Sequence, residues 1–316
     1  MDGLTFREAA ARGISKGLLS RRVRDGILVP ITRGAYLRPD QIGSLEARAS
    51  VISRLLPPHT VVARRTAAWL WGLDVLPPGV DAARWPVELV VPPDHTPPRR
   101  PGIEVRLSQL PPDEITEVSG VRVTSMERTA MDCGRWLPRL EAVAAVDQFL
   151  RWNVDPGRLG EMAARLAGER NARLLRRVLA AADRGAESPG ESWSRVRIID
   201  AGLPRPGTQI PVMGRHGNPL FVDLGYEDYR VGVEYDGEPY HSTPAARAHD
   251  EDRRRWLEAR HGWVIIPITS VDVLVRPRPF LTALVTALLD RGWRPDDEQM
   301  IEIGTNLSRL SGPRAA

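Results

Sequence analysis

Three things are scarce in this sequence: cysteine, lysine and long apolar runs. With Cys133 as its only cysteine, the chain can form neither an internal disulfide framework nor a thiol cluster for zinc. The opening segment MDGLTFREAAARG has no apolar core of the kind that signal sequences need, and no run of about 18 apolar residues follows that would span a membrane. We therefore expect a cytoplasmic protein with no membrane partner.

Basic charge resides almost entirely in arginine, because Lys16 is the only lysine among 44 basic residues. Arginine suits phosphate recognition, although genome composition accounts for such a bias equally well. The net charge of +4 is unevenly spread: residues 1–40 hold eight basic and four acidic side chains, whereas residues 187–316 hold sixteen basic and nineteen acidic ones. A basic amino-terminal segment is a weak indication of nucleic-acid binding, since phosphate contacts supply most non-specific affinity for DNA.

Length and composition predict a multidomain globular protein of the α+β or α/β class. Hydrophobic residues make up 42% of the chain and charged residues 27%, as in ordinary soluble proteins, and 316 residues are enough for two or three domains. Breaks in the pattern predict an amino-terminal domain at 1–40, a mixed middle region at 41–183, a carboxyl-terminal domain at 184–294 and a tail at 295–316.

A group of acidic residues in the carboxyl-terminal domain is the most informative feature. Apolar and polar residues alternate from Val231 to Asp236, so Glu234 and Asp236 share one face of a predicted strand. A tight turn joins this strand to an upstream one, which would bring Asp223 opposite Glu234. Neighbouring carboxylates raise one another's pKa unless a positive charge lies between them, and Mg²⁺ or Mn²⁺ would meet that need. A hairpin with one hydrated face is the plainer explanation of the same acids.

The order of the segments around these acids resembles the very-short-patch-repair-like branch of the PD-(D/E)XK nuclease superfamily. The resemblance covers about residues 186–293, and the order of the segments carries it, since no single segment is distinctive. The segments are a helix with Glu191, a strand with Asp223, the motif EYDG at 234–237, His241, a basic helix at 245–261 and an apolar strand at 264–269.

This resemblance implies an α/β/α fold that hydrolyses phosphodiester bonds with a bound metal ion. Glu191, Asp223 and Glu234 would be the metal ligands. Asp223 and Glu234 would also act in catalysis, with Asp236 close by and His241 near the scissile phosphate. The superfamily's usual lysine would fall at position 236, which is aspartate here, so His241 or an arginine would have to replace it.

The amino-terminal segment has the pattern of a winged helix-turn-helix. Thr5 and Glu8 form a capping box that begins a first helix, and Ser15 caps a second one that ends at Arg24. Two short strands follow within residues 27–37. The second helix would enter a DNA major groove. The predicted DNA-binding residues are Lys16, Arg21, Arg22 and Arg24 on that helix, Arg33 on the wing and, in the carboxyl-terminal domain, Arg253. A small helical cap with solvated arginines would show the same pattern.

The same segment resembles a second family. The motifs GIS at 13–15, RDGIL at 24–28 and RGAY at 33–36 are similar to the amino-terminal winged helix of AbiEi-type transcriptional regulators, the antitoxins of type IV toxin–antitoxin pairs. The resemblance covers about residues 4–40. It implies binding to the promoter of the protein's own operon, and a cognate toxin as partner.

The middle region has no catalytic motif. Its pattern predicts helix over residues 44–73, then a small sheet from strands at 87–91, 103–107 and 120–124, then further helices that begin after Ser125. Such a region could orient the amino-terminal domain or form a homodimer.

Two functional hypotheses follow. The first is a DNA-binding protein with a Mg²⁺- or Mn²⁺-dependent endodeoxyribonuclease domain, linked to a toxin–antitoxin or defence system. The second is a non-enzymatic AbiEi-like regulator whose nuclease-like domain is inactive, since a fold does not establish an activity.

Overall fold

The structure is a computed structural model. It describes the backbone of residues 3–215, 217–237 and 244–310, and the side chains of all of these except 244–250. The described helices of the first half are α1 Phe6–Ala11, α2 Lys16–Arg24, α3 Leu45–Leu55, α4 Arg64–Leu70, α5 Met126–Trp136, α6 Arg139–Arg151 and α7 Pro156–Arg165. Those of the second half are α8 Ala172–Ala181, α9 Pro189–Asp200, α10 Pro244–His261, α11 Ser270–Leu274, α12 Pro277–Asp290 and α13 Asp297–Arg309. The strands are β1 Leu4–Thr5, β2 Val29–Thr32, β3 Ala35–Leu37, β4 Val61–Val62, β5 Val87–Val91, β6 Ile103–Leu107, β7 Ile115–Val118, β8 Val121–Thr124, β9 Gly207–Met213, β10 Pro219–Tyr226, β11 Val231–Tyr235 and β12 Val264–Ile268.

The chain divides into two compact units. Unit 1 comprises Met1–Leu137 and Asn153–Arg176, and unit 2 comprises Pro138–Trp152 and Arg177–Ala316. This mixed α and β architecture with several sheets agrees with the multidomain class predicted from sequence. The division differs from the expected one, because helix α6 falls in the predicted middle region and yet packs in unit 2.

The amino-terminal part of unit 1 is a small antiparallel sheet of order β1-β3-β2 with helices α1 and α2. Its helices begin where the capping signals predicted. Thr5 and Glu8 form the reciprocal capping box of α1, and the Ser15 hydroxyl accepts the Leu18 N–H at the start of α2. Helix α3 packs against this sheet and against the larger sheet that follows, through a core that includes Leu37, Leu45 and Ile52.

The rest of unit 1 is built on a five-stranded sheet of order β6-β5-β4-β8-β7. Helix was predicted throughout residues 44–73, but Val61–Val62 pairs as strand β4 with β5 and β8. Strand β7 was missed as well. Its sequence, ITEV, has two polar residues between two apolar ones, so it lacks the strict alternation that marks a strand in a sequence.

Unit 2 is built on a four-stranded sheet of order β12-β11-β10-β9. Strands β9, β10 and β11 are antiparallel neighbours, and α10 leads to β12, which pairs parallel to β11. Val231 and Val233 pack into one core with residues of α9 and α12. Gly232 lies between them and faces Val222 and Ile265, which belong to a second core with Leu257 of α10. Helices therefore cover the sheet on both faces.

Two features of unit 2 differ from the expectation. A strand as apolar as β12 is expected at the centre of a sheet, but it is an edge strand, and β10 and β11 occupy the centre. The predicted tail contains helix α13, whose Ile303 is buried in the main core of unit 2. Asp296 caps this helix by accepting the Gln299 N–H at 2.7 Å, a signal that lies just past the proline at 295.

Within the part of the chain that the structure describes, no helix is both long enough and apolar enough to cross a membrane.

Candidate functional site

The acidic residues of unit 2 come together as the predicted turn required. Strands β10 and β11 pair with Leu224 opposite Val233 and Gly225 opposite Gly232, and the next step of this register places Asp223 opposite Glu234. The Asp223 carboxylate accepts the backbone N–H of Tyr235 at 2.9 Å. The two central strands therefore carry two of the predicted site residues side by side.

Glu191 lies in the first turn of α9 and has a local structural role. Ser188 is the N-cap, and its hydroxyl accepts the Glu191 N–H at 3.2 Å and donates to Glu191 Oε1 at 2.8 Å. Oε2 accepts the Glu187 N–H at 2.9 Å and the Gln209 side-chain amide at 3.1 Å. Both oxygens of Glu191 thus have protein donors, and the carboxylate still lies close enough to Asp223 to affect its titration.

Two arginines of α10 neutralise the acids on β11. Arg253 Nη1 donates to Glu234 Oε1 at 2.7 Å, and Arg254 Nε donates to Glu234 Oε2 at 3.3 Å. Arg254 also donates to Asp236, with an Nη2–Oδ2 distance of 2.7 Å. A second Arg253 nitrogen donates to the carbonyl of Phe221. The sequence analysis assigned Arg253 to DNA binding; its guanidinium is engaged by these groups of unit 2, and a DNA contact stays a prediction.

The electrostatics of the cluster are uneven. Burial, followed by the negative charge of Glu191, raises the pKa of Asp223 to about 7. Burial also raises the pKa of Glu234, although Arg253 and Arg254 act in the opposite direction. The cost of ionising Asp223 is only partly offset, because its hydrogen-bond donor is a neutral backbone N–H and the charge of Arg253 acts on it more weakly than burial and Glu191 do.

In the described arrangement, protein donors already engage both oxygens of Glu191 and of Glu234, the two glutamates that were predicted to bind a divalent cation. Over the described residues, no group of three or more histidine, cysteine, aspartate or glutamate side chains is arranged to hold a metal ion. Both Glu234 oxygens accept hydrogen bonds from arginine, so the positive charge that the sequence assigned to Mg²⁺ or Mn²⁺ is supplied by α10. Metal binding by Glu191, Asp223 and Glu234 stays a prediction, as does catalysis by Asp236. His241 lies outside the described residues.

A buried ion pair of unit 2 was missed by sequence reasoning. Arg195 lies one turn after Glu191 on α9, the spacing of a local salt bridge, but its guanidinium is fully buried and bonded to Asp147 of α6. The Asp147 carboxylate also accepts the Ser192 hydroxyl at 2.6 Å and the Asp183 N–H at 2.7 Å. The pair joins residues 48 positions apart, so no local signal could reveal it.

The predicted DNA-binding residues of unit 1 lie on the surface of its amino-terminal part. Arg21 and Arg24 are exposed on the side of α2 opposite the buried Leu19, Lys16 is exposed in the first turn, and Arg22 is half-buried. Arg33 is exposed in the turn between β2 and β3. Arg21 makes an exposed contact with Asp25 at 3.5 Å, which contributes little because both groups are solvated.

A groove of about 1100 Å³ runs beside this surface. Basic side chains from four segments line it, and no aspartate or glutamate occurs among its described lining residues; the basic residues are Arg7, Lys16, Arg33, Arg99 and Arg100. Arg100 Nη1 donates to the Arg33 carbonyl at 2.6 Å, which holds the proline-rich loop at 96–101 against the β2–β3 turn. Arg100 lies 67 positions from Arg33 in the chain, so only the three-dimensional structure shows that Arg99 and Arg100 line this groove.

Two family models match segments that include residues of the groove. The model described as "Transcriptional regulator, AbiEi antitoxin" matches residues 4–39, in agreement with the resemblance found in the sequence. The model described as "AbiEi antitoxin C-terminal domain" matches residues 60–181, most of the middle region that carried no recognised motif. Neither match reaches the acidic cluster, so the comparisons give the nuclease resemblance no support.

Two relatives are similar along most of the chain. They are the uncharacterised proteins MT2308 and Rv2248 of Mycobacterium tuberculosis, strains CDC 1551 / Oshkosh and ATCC 25618 / H37Rv. Each is 31% identical over 285 residues, which cover 86% of this chain and 96% of the relative.

Proposed function

This chain belongs to the family of those two mycobacterial proteins and contains both AbiEi antitoxin domains, and on that premise we propose that it is a DNA-binding transcriptional regulator of the antitoxin type. In this proposal residues 4–39 form a winged helix that binds DNA, with α2 as the recognition helix and the β2–β3 turn as the wing. The observation that carries it is the acid-free basic groove beside α2, inside a segment that matches a transcriptional regulator.

The geometry of α2 supports a groove-binding role. On a helix that turns 100° per residue, Arg21 and Arg24 lie about 160° and 140° from the inward-facing Leu19, whereas Lys16 is exposed in the first turn, about 60° from Leu19. The apolar side therefore anchors the helix, and the cationic side is free to face phosphates. Proteins read DNA in this way with the exposed face of one helix, while arginines elsewhere hold the backbone.

The wing and the loop at 96–101 extend the same surface. Arg33 lies in the turn before Gly34, whose φ of 87° suits the sharp reversal between β2 and β3. The hydrogen bond from Arg100 to the Arg33 carbonyl fixes this turn. Each phosphate neutralised by such residues steepens the salt dependence of binding by about 0.9 in a log–log plot.

The test is a fluorescence anisotropy titration of the full chain with a duplex from the region upstream of its own coding sequence. We expect the double variant Arg21→Ala/Arg24→Ala, which removes two exposed arginines from the outward side of α2, to bind at least about tenfold more weakly, since two cation–phosphate contacts are lost. The matched control is Arg176→Ala/Arg177→Ala, which removes two adjacent exposed arginines from α8. Equal loss in both double variants would mean that net charge alone governs binding, and the assignment of α2 would be wrong.

A cognate toxin is the partner that the antitoxin domains suggest. Its binding surface is not assigned. Co-purification of the chain with the product of the adjacent gene, from cells that express both, is the direct test. Absence of a complex would leave a transcriptional regulator without an antitoxin role.

A metal-dependent endodeoxyribonuclease is the second candidate, favoured by one observation. Asp223 and Glu234 stand side by side on neighbouring central strands, with Glu191 close enough to raise the pKa of Asp223. Nicking of plasmid DNA in Mg²⁺ or Mn²⁺, lost in Asp223→Ala, would support this candidate. No cleavage by the wild type in either ion would remove it.

A further inference from the structure

Three arginines of unit 1 converge on one tryptophan. The guanidinium carbons of Arg106, Arg135 and Arg170 lie 4.3, 4.8 and 5.9 Å from the ring centroid of Trp136. Cation–π attraction accounts for each contact by itself, but three like charges around one ring repel one another. Arg135 is partly neutralised by Glu169, at 3.2 Å.

A cavity opens beside this cluster. Its volume is about 290 Å³, and its walls combine apolar side chains of β5 and β6 with Trp136 and with the polar groups of Arg64, Arg106 and Ser108. Small-molecule sites start at roughly 300 Å³, so the cavity suits a small ligand. It lies within the segment that matches the AbiEi antitoxin C-terminal domain.

Arg106 is a cation of this wall that no acid contacts directly, whereas Asp132, an acid that also lines the cavity, is paired with Arg128. Within the described part of the chain, Arg106 makes no ion pair and its buried Nε has no hydrogen-bond partner. Burial and then the positive charge of Arg64 lower the pKa of Arg106. By contrast, Arg128 also lines the cavity, but its guanidinium is hydrogen-bonded to Asp132 and Glu114 and is therefore neutralised within the protein.

Arg64 is the second group held toward the cavity. It bonds to Glu88 and Glu104 at 3.0 and 2.7 Å, yet its Nε is buried without a partner, and the residue is only 9% exposed. Its φ is 53°, in the left-handed region that a residue with a side chain occupies at a cost of order 1–3 kcal/mol. Such strain is concentrated where a side chain must point in one direction for function.

We propose that this cavity binds a small oxyanion, a phosphate monoester or a carboxylate, with Arg106 and Arg64 donating to the anion and Trp136 covering the apolar part of the ligand. The two guanidinium groups provide donors that lack partners in the ligand-free chain, and a bound anion would satisfy them. It would also relieve the repulsion among the cations around Trp136. This site is independent of the DNA-binding surface, so it can be correct even if the proposed function is not.

The competing explanation is that the arginines and Trp136 are only a packing cluster. The two explanations predict different effects of Arg106 on the stability of the ligand-free protein. A packing arginine stabilises the free protein, so removing it lowers the melting temperature. A ligand-binding arginine that lacks a counter-charge leaves the melting temperature of the free protein unchanged, or raises it, when replaced by a neutral side chain.

The experiment is isothermal titration calorimetry on the full chain with three probes: inorganic phosphate, ribose 5-phosphate and citrate. Wild type is expected to bind at least one of them with a Kd below about 1 mM, and Arg106→Gln at least about tenfold more weakly. The phosphate and citrate arms separate the two sources of the oxyanion. Arg173→Gln, which changes an exposed arginine of α8, is the matched control and is expected to bind as wild type does.

Melting of the free proteins completes the test. Arg106→Gln is expected to melt at the wild-type temperature or above it, and Arg106→Lys, which keeps the charge, to retain part of the binding. Failure of the wild type to bind any of the three probes would overturn the proposal. Equal binding by Arg106→Gln, or a lowered melting temperature together with unchanged binding, would do the same.

Discussion

Replacement of Asp223 by asparagine is expected to stabilise the sheet of unit 2 at alkaline pH. The folded-state pKa of Asp223 is about 7, against an ordinary value of 3.8. Between these two values the folded chain holds a proton that the unfolded chain has released, so stability falls as the pH rises through this window. At about 1.4 kcal/mol per pKa unit, the loss above pH 7 is at most about 4 kcal/mol.

Asparagine removes this cost and preserves the geometry. Its side-chain oxygen can still accept the Tyr235 N–H, which the Asp223 carboxylate accepts at 2.9 Å. We therefore expect Asp223→Asn to be more stable than wild type at pH 8, by up to about 4 kcal/mol, and equally stable below about pH 4. The control is Glu251→Gln, which makes the same chemical change at an exposed site. Asp272 is unsuitable as a control because its carboxylate caps α11.

Hydrogen exchange measured by mass spectrometry on peptides from β10 and β11 is the suitable assay. A chain with two compact units does not unfold in a single transition, and a local measurement avoids that difficulty. Comparing the two proteins at each pH cancels the intrinsic exchange rate. Lower protection of Asp223→Asn at pH 8 would refute the reasoning, since it would mean that the ionised carboxylate is stabilising. If Mg²⁺ then increases the protection of wild type but not that of Asp223→Asn, a cation bound to the ionised carboxylate explains this stabilisation.

Two further substitutions test what holds unit 2 together. Arg195→Ala leaves the buried Asp147 carboxylate without a counter-charge, so we expect the free energy of unfolding to fall by about 3–5 kcal/mol, visible as a lower melting temperature. The double variant Asp147→Ala/Arg195→Ala should lose less stability than the sum of the two single variants. An additive double variant would contradict the ion pair. Ser188→Ala removes the N-cap of α9 and should cost about 1 kcal/mol, while Ser194→Ala, whose hydroxyl bonds to the Gly190 carbonyl within the helix, should cost less. Equal effects of the two serine changes would argue against the cap.

Local features of this fold could be predicted because their signals lie within a few residues. Thr5, Ser15 and Ser188 each begin a helix where the sequence indicates, since a capping hydroxyl accepts an N–H only three positions away. The register of Asp223 with Glu234 followed from the length of one tight turn.

Contacts between distant segments could not be predicted in this way. The sequence indicated that the Asp223 group needs a positive charge, but not that Arg253 and Arg254 would supply it to Glu234, because the return of α10 over the sheet depends on packing. The cavity beside Trp136 depends likewise on parallel pairing of β5 with β6 and on α5, three segments that no short motif links. Helix α6 was assigned to the middle region because its own sequence carries no mark of the Asp147 bond to α9.

The salt dependence of DNA binding tests the central claim most directly. The claim is that α2 of unit 1 binds the phosphates and that the acidic cluster of unit 2 takes no part. With the log of the association constant plotted against the log of the salt concentration, Arg21→Ala/Arg24→Ala should reduce the slope by about 2, and Asp223→Ala should leave slope and affinity unchanged. An unchanged slope in the arginine variant, or a loss of binding in Asp223→Ala, would contradict it.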